Sequence, residues 1–326
     1  MTERSAGPEE ATPEANESAA VLPASDRDGA PVGLAQATPG VTSDRPIPTS
    51  AQGNDLGMEA VSVEAESPGA AFVYALGQVE PRFPTLAVEK EFAQVAGQGD
   101  ASGLTDRQAL QSLLSEPSNR YLARQLCWVF TIEGLETYIL HPRVVEDLDL
   151  LVEAVRPAPK RTDIDVVIGV MGPIAPPELC NALMVPIVVF DHLYSFDVDT
   201  LLGAIPRPEK AKVSQWEAAT EEVFSRVTQM NDNAGATDAD RALNYLSVRY
   251  PGIYHKAAEK FAANASLTAV EVRPSRLSST RNVVDVIFTY TDRTTDVTDK
   301  LFVRVDVTEE FPFLVTKISP YFERGA

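Results

Sequence analysis

Two cysteines and three histidines are the whole supply of thiols and imidazoles in this chain, so any thiol nucleophile or soft metal site must use them. Cys180 lies in Pro176-Pro177-Glu178-Leu179-Cys180-Asn181, where a proline in the first turn is expected to open a short helix running to Met184. A helix N-terminus lowers a thiol's pKa, which fits Cys180 to be a thiolate or a metal ligand. Cys127 falls mid-strand beside Trp128, where a cysteine ordinarily serves as a small buried hydrophobe. No Cys-x-x-Cys pair exists. A zinc site would therefore need ligands gathered by the fold, either Cys127, Cys180, His141 and His192, or two cysteines from each of two subunits. A thiol enzyme would use Cys180 as nucleophile and His192 as base. No Gly-x-Ser-x-Gly elbow and no glycine-rich phosphate loop is present.

The segment from Arg273 to Arg281 (RPSRLSSTR) concentrates three arginines and four hydroxyls in one connection of an otherwise acidic chain. Guanidinium forks bind carboxylates and phosphates bidentately. Arg273, Arg276 and Arg281 are thus the candidate contact for an acidic peptide segment or a partner protein. The competing reading is that they pair with the chain's own carboxylates.

The elements that must position these residues follow from composition and period. The chain has 326 residues, a net charge of −19 and 44% apolar residues. The acidic balance argues against nucleic acid as ligand, since phosphate binding needs a basic face. No apolar run approaches the ~20 residues of a membrane helix. The N-terminus has no apolar core of the secretory type, and two cysteines do not make a disulfide-dense scaffold, so the expected location is the cytoplasm. Residues 1–70 contain no Phe, Tyr or Trp and carry twelve acidic residues against three arginines. Such a segment buries too little surface to offset its chain entropy, and 1–68 reads as a disordered acidic tail, a tether or solubilising arm.

From Phe72 onward the pattern is that of a folded chain. Phe72–Leu76 reads as a strand ended by Gly77, Leu86–Gln98 and Thr105–Ser115 as helices, and Leu126–Ile132 with Leu135–Leu140 as a hairpin turning at Glu133-Gly134. A plain two-residue loop would put Phe130 opposite Thr137 and Trp128 opposite Ile139. Buried strands follow at Asp165–Met171 and Val185–Tyr194, with short helices at Asp147–Arg156 and Asp197–Ile205. Glu209–Met230, Asp238–Arg249 and a third segment from Pro251 form a helical unit. Leu267–Val272, Val283–Thr291, Lys300–Thr308 and Phe313–Ile318 alternate as a four-stranded meander. The expected fold is α+β: a mixed or antiparallel sheet with a hairpin, the helical unit and a C-terminal antiparallel meander, all in one domain over 69–326.

Several runs, FVYALG at 72–77, NRYLARQLCWV at 119–129, EGLETYIL at 133–140, GPIAPPELCN at 172–181, DNAGATD at 232–238 and VTEEFP at 307–312, together resemble the C-terminal domain of the cyanobactin maturation proteins PatA and PatG, in order over about 70–326. In that family the domain is appended to subtilisin-like proteases that cleave and macrocyclise ribosomally made precursor peptides. The protease module and its Asp/His/Ser triad have no counterpart here, so the resemblance does not imply protease activity. It implies a non-catalytic accessory, recognition or oligomerisation module, with a precursor peptide or the maturation protease as partner and a homodimer as its assembly. A structural zinc in such a domain would be compatible with Cys127 and Cys180. The competing readings are a zinc-stapled homodimer without peptide affinity and the Cys180/His192 thiol enzyme.

Overall fold

Glu133 and Gly134 set the first pairing. Both have positive φ, 51° and 80°, as the tight turn of a two-residue hairpin requires. They join β2 (Cys127–Ile132) to β3 (Leu135–Pro142). Ile132 faces Leu135 and Thr131 faces Glu136, after which the register slips and Phe130 faces Tyr138 and Trp128 faces Leu140. Thr137 is the extra residue, its hydroxyl donating back to the Leu135 carbonyl at 2.9 Å. The bulge corrects the plain register expected above. An inserted residue exchanges the two faces of the strand beyond it, so Trp128, Phe130, Tyr138 and Leu140 share one side while Cys127, Val129 and Ile139 share the other.

The computed structural model describes residues 71–97, 104–207, 212–228, 233–277 and 280–322; the acidic segment expected over 1–68 lies outside them. β1 (Phe72–Arg82) does not stop at Gly77. Its first half pairs with β4 (Asp163–Ile174) and its second half, from Gln78, with β2. A Cβ on Gly77 would stand 2.3 Å from the Thr131 carbonyl oxygen, so this glycine marks the corner where the strand changes partners. β5 (Pro186–Asp197) runs antiparallel to β4 and parallel to β3. That parallel pairing closes a five-stranded barrel, β1-β2-β3-β5-β4.

One set of barrel side chains, among them Val73, Ala75, Phe130 and Phe190, packs with Phe92, Leu114, Leu122 and Leu151. Those come from α1 (Leu86–Ala96), α2 (Asp106–Ser115), α3 (Arg120–Ala123) and α4 (Leu148–Ala154). Thr85 and Thr105 cap the first two helices, Thr105 in a reciprocal box with Gln108. α5 (Val198–Ala204) starts at the end of β5, its first turn held by the Asp197 carboxylate, which accepts from the Thr200 N–H at 3.1 Å.

α6 (Val213–Thr228), α7 (Asp238–Arg249) and α8 (Gly252–Ala262) cover the second sheet. That sheet is the meander β6 (Ala265–Pro274), β7 (Val283–Asp292), β8 (Thr298–Asp306) and β9 (Phe313–Pro320). Val286, Phe288, Val303 and Val305 project from it into Trp216, Val223, Leu243 and Leu246.

Pro177–Ala182 forms turns and not the expected helix, with Asn181 and Ala182 at positive φ. Cys180 therefore has no helix N-terminus beneath it. Its sulfur is bonded to that of Cys127, with Cα atoms 5.6 Å apart and both residues buried. This differs from the zinc expectation for Cys127 and Cys180: a sulfur shared in a disulfide is not the thiolate a metal requires. Among the described residues no group of three or more His, Cys, Asp and Glu side chains gathers as a metal site. Nor is any helix among them long and apolar enough to cross a membrane. The bond closes a sequence separation of 53 residues, and confining the unfolded chain over such a loop is worth about 4 kcal/mol. Replacing both cysteines with alanine, or adding reductant, is expected to lower the urea midpoint correspondingly, and an unchanged midpoint would show that the bond does not form in solution.

Candidate functional site

The barrel and the helical layer meet along an open-sided cleft of about 1220 Å³. Leu76–Gln78 of β1, the hairpin tip Thr131–Gly134 and Arg161–Ile164 leading into β4 form one wall; α5 and α6 form the other. α5 is tied to the first wall, since the Val198 N–H donates to the Thr162 carbonyl and the Thr162 hydroxyl to Asp197, both at 2.8 Å. On α6 the residues at helical spacing, Trp216, Thr220 and Phe224, turn inward, while Glu217 and Glu221 stay exposed on the same wall.

The floor is polar but fully occupied. Asn233 and Asn244 are both buried. Asn233 Nδ2 donates to Asn244 Oδ1 at 2.8 Å, and Asn244 Nδ2 donates to Asn233 Oδ1 at 3.0 Å and to the Tyr74 carbonyl at 2.7 Å. The Gly235 N–H also reaches Asn233 Oδ1 at 3.1 Å. Gly235 has φ +72°, and a Cβ there would lie 2.3 Å from the Tyr74 oxygen. Thr220 Oγ1 donates back to the Trp216 carbonyl at 2.9 Å. Behind the barrel wall Asp165 is 1% exposed. Burial raises its pKa, against the charge-favouring bonds from the Ser195 hydroxyl, the Val79 N–H and Arg156. These groups hold the fold together, and none is free for acid–base work. The described lining contains no Cys, His, Lys or Tyr.

Its rim is charged. Glu133, Asp199, Glu217 and Glu221 are exposed and meet no basic partner among the described residues; Arg161 and Arg207 are the lining's cations. Glu217 and Glu221 stand one turn apart on α6, where like charges cost a helix about 0.2–0.5 kcal/mol and a Lys at either place would have contributed as much.

The residues singled out from sequence lie elsewhere. Arg273 pairs with Glu271. Arg281 meets the buried Asp306 carboxylate at 2.5 Å and stacks 5.1 Å over the Phe313 ring. Arg276 is exposed. His192 packs edge-on against Phe311 at 4.9 Å while Cys180 is bonded to Cys127, so the imagined nucleophile and base are each engaged with other partners. His141 Nδ1 lies 3.0 Å from the Pro142 carbonyl. The cleft itself has no local motif, because its walls come from segments spread between Leu76 and Thr228; the Glu217/Glu221 repeat was the visible signal.

A second titrating pair sits where β5 meets the β8–β9 connection. Asp191 accepts from Arg143 Nη2 at 2.6 Å and shares a hydrogen bond with Glu310. Burial, then the neighbouring Asp191, pushes Glu310 up to about 7. Burial opposes the charge of Asp191 too, but the Glu310 hydrogen bond and Arg143 outweigh it and hold that carboxyl below its usual range. Arg241, 3% exposed, donates to the carbonyls of Val307 at 2.7 Å and Glu310 at 3.3 Å and also meets that of Glu309, fixing the connection.

Comparison with known proteins bears out the resemblance drawn from the sequence runs. Residues 210–321 match the family described as PatG C-terminal, a span that takes in α6 to β9. A solved structure described as the PatG domain of unknown function shares the fold, with a TM-score of 0.63 and 21% identity over 77% of this chain and 99% of the other. No curated protein sequence matches.

The carboxyl pair predicts a pH dependence. Between its ordinary value of 4.5 and about 7, Glu310 keeps in the folded state a proton that the unfolded chain has released, so stability falls as pH rises through that window. Asp191 acts oppositely, its contribution being lost only as pH falls below the usual carboxylate range. The melting temperature should therefore decline from about pH 4.5 to about pH 7, with the Glu310 part of order 1 kcal/mol after solvent screening at this partly exposed site. Glu310→Gln should flatten the profile; an identical slope in that variant would show that the pair does not set it.

Proposed function

We propose, from the PatG C-terminal match over 210–321, that this chain is a non-catalytic accessory module of ribosomally made, cyanobactin-type modified-peptide biosynthesis, and that the cleft between barrel and helices holds a peptide segment of its partner. The carrying observation is the cleft itself. Its volume exceeds the ~300–1,000 Å³ of small-molecule pockets, its inner wall is apolar and aromatic, and its buried polar groups are already bonded to one another. A precursor peptide, or an extended segment of the maturation protease, is the class of partner that fills a large, open-sided cleft without being chemically changed by it.

A second contact is supported on the outer face of the meander. Phe313 and Val315 are each more than 40% exposed there, as is Phe311 in the connection before them, and Arg281 lies over Phe313. With the exposed Arg276 and the neighbouring Arg273, this surface suits docking of an acidic stretch of the partner protease.

Panning a random peptide library against the full chain, followed by hydrogen exchange with the selected peptides, tests the cleft. Slowed exchange over 131–134, 161–164 and 213–228 is the expected result. Protection confined to 273–281 and 311–315 would move the peptide site to the meander face, and recovery of no peptide above background would remove the peptide-holding role.

A further inference from the structure

The peptide reading of the cleft leaves open which peptides enter it. Here the rim decides. Four exposed carboxylates, Glu133, Asp199, Glu217 and Glu221, face two guanidiniums, Arg161 and Arg207, across the same opening. Asp163, also on the wall, is already engaged: it accepts from the Lys160 N–H at 2.6 Å and lies 3.6 Å from Arg156. It adds no free charge to the opening. Opposite signs one turn apart would stabilise α6 at this face, as they do at Glu222 and Arg226, 3.3 Å apart on the same helix. Instead Glu217 and Glu221 repeat the same sign on one stripe directly above Trp216, Thr220 and Phe224.

We infer that the cleft selects cationic peptide segments, with two or more Lys or Arg heads on the Glu217/Glu221 side and an interspersed apolar side chain against Trp216 and Phe224; this rests on the peptide reading above. Three physical terms favour that occupant. The carboxylates attract its heads at the rim, where solvent still separates like charges. The aliphatic stems of Lys and Arg cover apolar wall while their heads remain wet, and an indole beside a carboxylate is a favourable seat for a cation. A chain of net charge −19 also repels acidic segments and steers basic ones toward it.

The test uses the full chain and three labelled peptides of one length: acetyl-Leu-Lys-Phe-Lys-Leu-Lys-amide and its Gln-for-Lys and Glu-for-Lys counterparts, titrated by fluorescence anisotropy. The lysine peptide should bind at least about tenfold tighter than the glutamine peptide at about 50 mM salt, and the margin should shrink at about 300 mM. The double variant E217Q/E221Q, altered only at exposed positions, should lose most of that margin, while Phe224→Ala should weaken both peptides alike. Equal binding of all three peptides in the cleft would overturn the charge selection and leave the peptide site standing. An undiminished margin in E217Q/E221Q would place the selectivity elsewhere and also overturn it. Binding of none would remove the peptide reading and this inference with it.

Discussion

The structure depends on how the backbone of Tyr74 is satisfied. β1 is paired with β4 through residue 77 and with β2 only from residue 78, so in its first half one edge of the strand has no strand beside it. There the Tyr74 N–H donates to the Gly235 carbonyl at 2.8 Å, and the Tyr74 carbonyl accepts from Asn244 at 2.7 Å. A buried strand edge left bare would cost the full desolvation of both groups. The loop before α7 and the side chain of α7 supply what a neighbouring strand would have supplied. This seam couples barrel to helical layer, and the cleft is the gap that remains where the two bodies diverge from it. Gly235 belongs to the same seam, since only a residue without Cβ can bring its carbonyl that close to β1.

One edge of the meander is treated in a related way. β9 ends the meander, and its outer backbone would be a template for an added strand. The Ile318 N–H instead donates to the Tyr250 hydroxyl at 3.0 Å, and Tyr245 is hydrogen-bonded to the backbone of Leu314. Pro320 closes the strand without a donor. Two tyrosines from the helical layer thus occupy positions a partner strand would need. Strand addition along β9 is thereby disfavoured.

Much of this was legible in the residues. Thr105 with Gln108, Glu133-Gly134, Thr237 with Asp240 and the alternating last sixty residues each carry a local physical signature, and each became the element it encodes. What was not legible depended on contacts between distant segments. Gly77 looks like a strand end but is the residue that lets β1 pass Thr131. The bulge at Thr137 is invisible in an apolar run whose two faces are both buried, because nothing in such a pattern penalises a slip by one. Pro176-Pro177 opens a turn rather than a helix because Cys180 is drawn to Cys127. Apart from the Glu217/Glu221 repeat the cleft has little linear trace, since Trp216 and Phe224 look like helix core and Gln78 and Arg161 like ordinary surface.

The disulfide also alters the order in which this barrel can be assembled. One of its non-local pairings is the parallel one of Ile139 with Ile187, a contact whose partners are 48 residues apart along the backbone and which carries the entropy of a large loop. Once Cys127 and Cys180 are joined, the path between those two residues shortens to twelve on one side of the sulfur bridge and seven on the other. A slow, non-local contact becomes a nearly local one, and the contact order of the barrel falls with it. Oxidised and reduced chains would then share a native topology yet reach it at different speeds, so that the redox state met during folding acts as a timer on barrel closure.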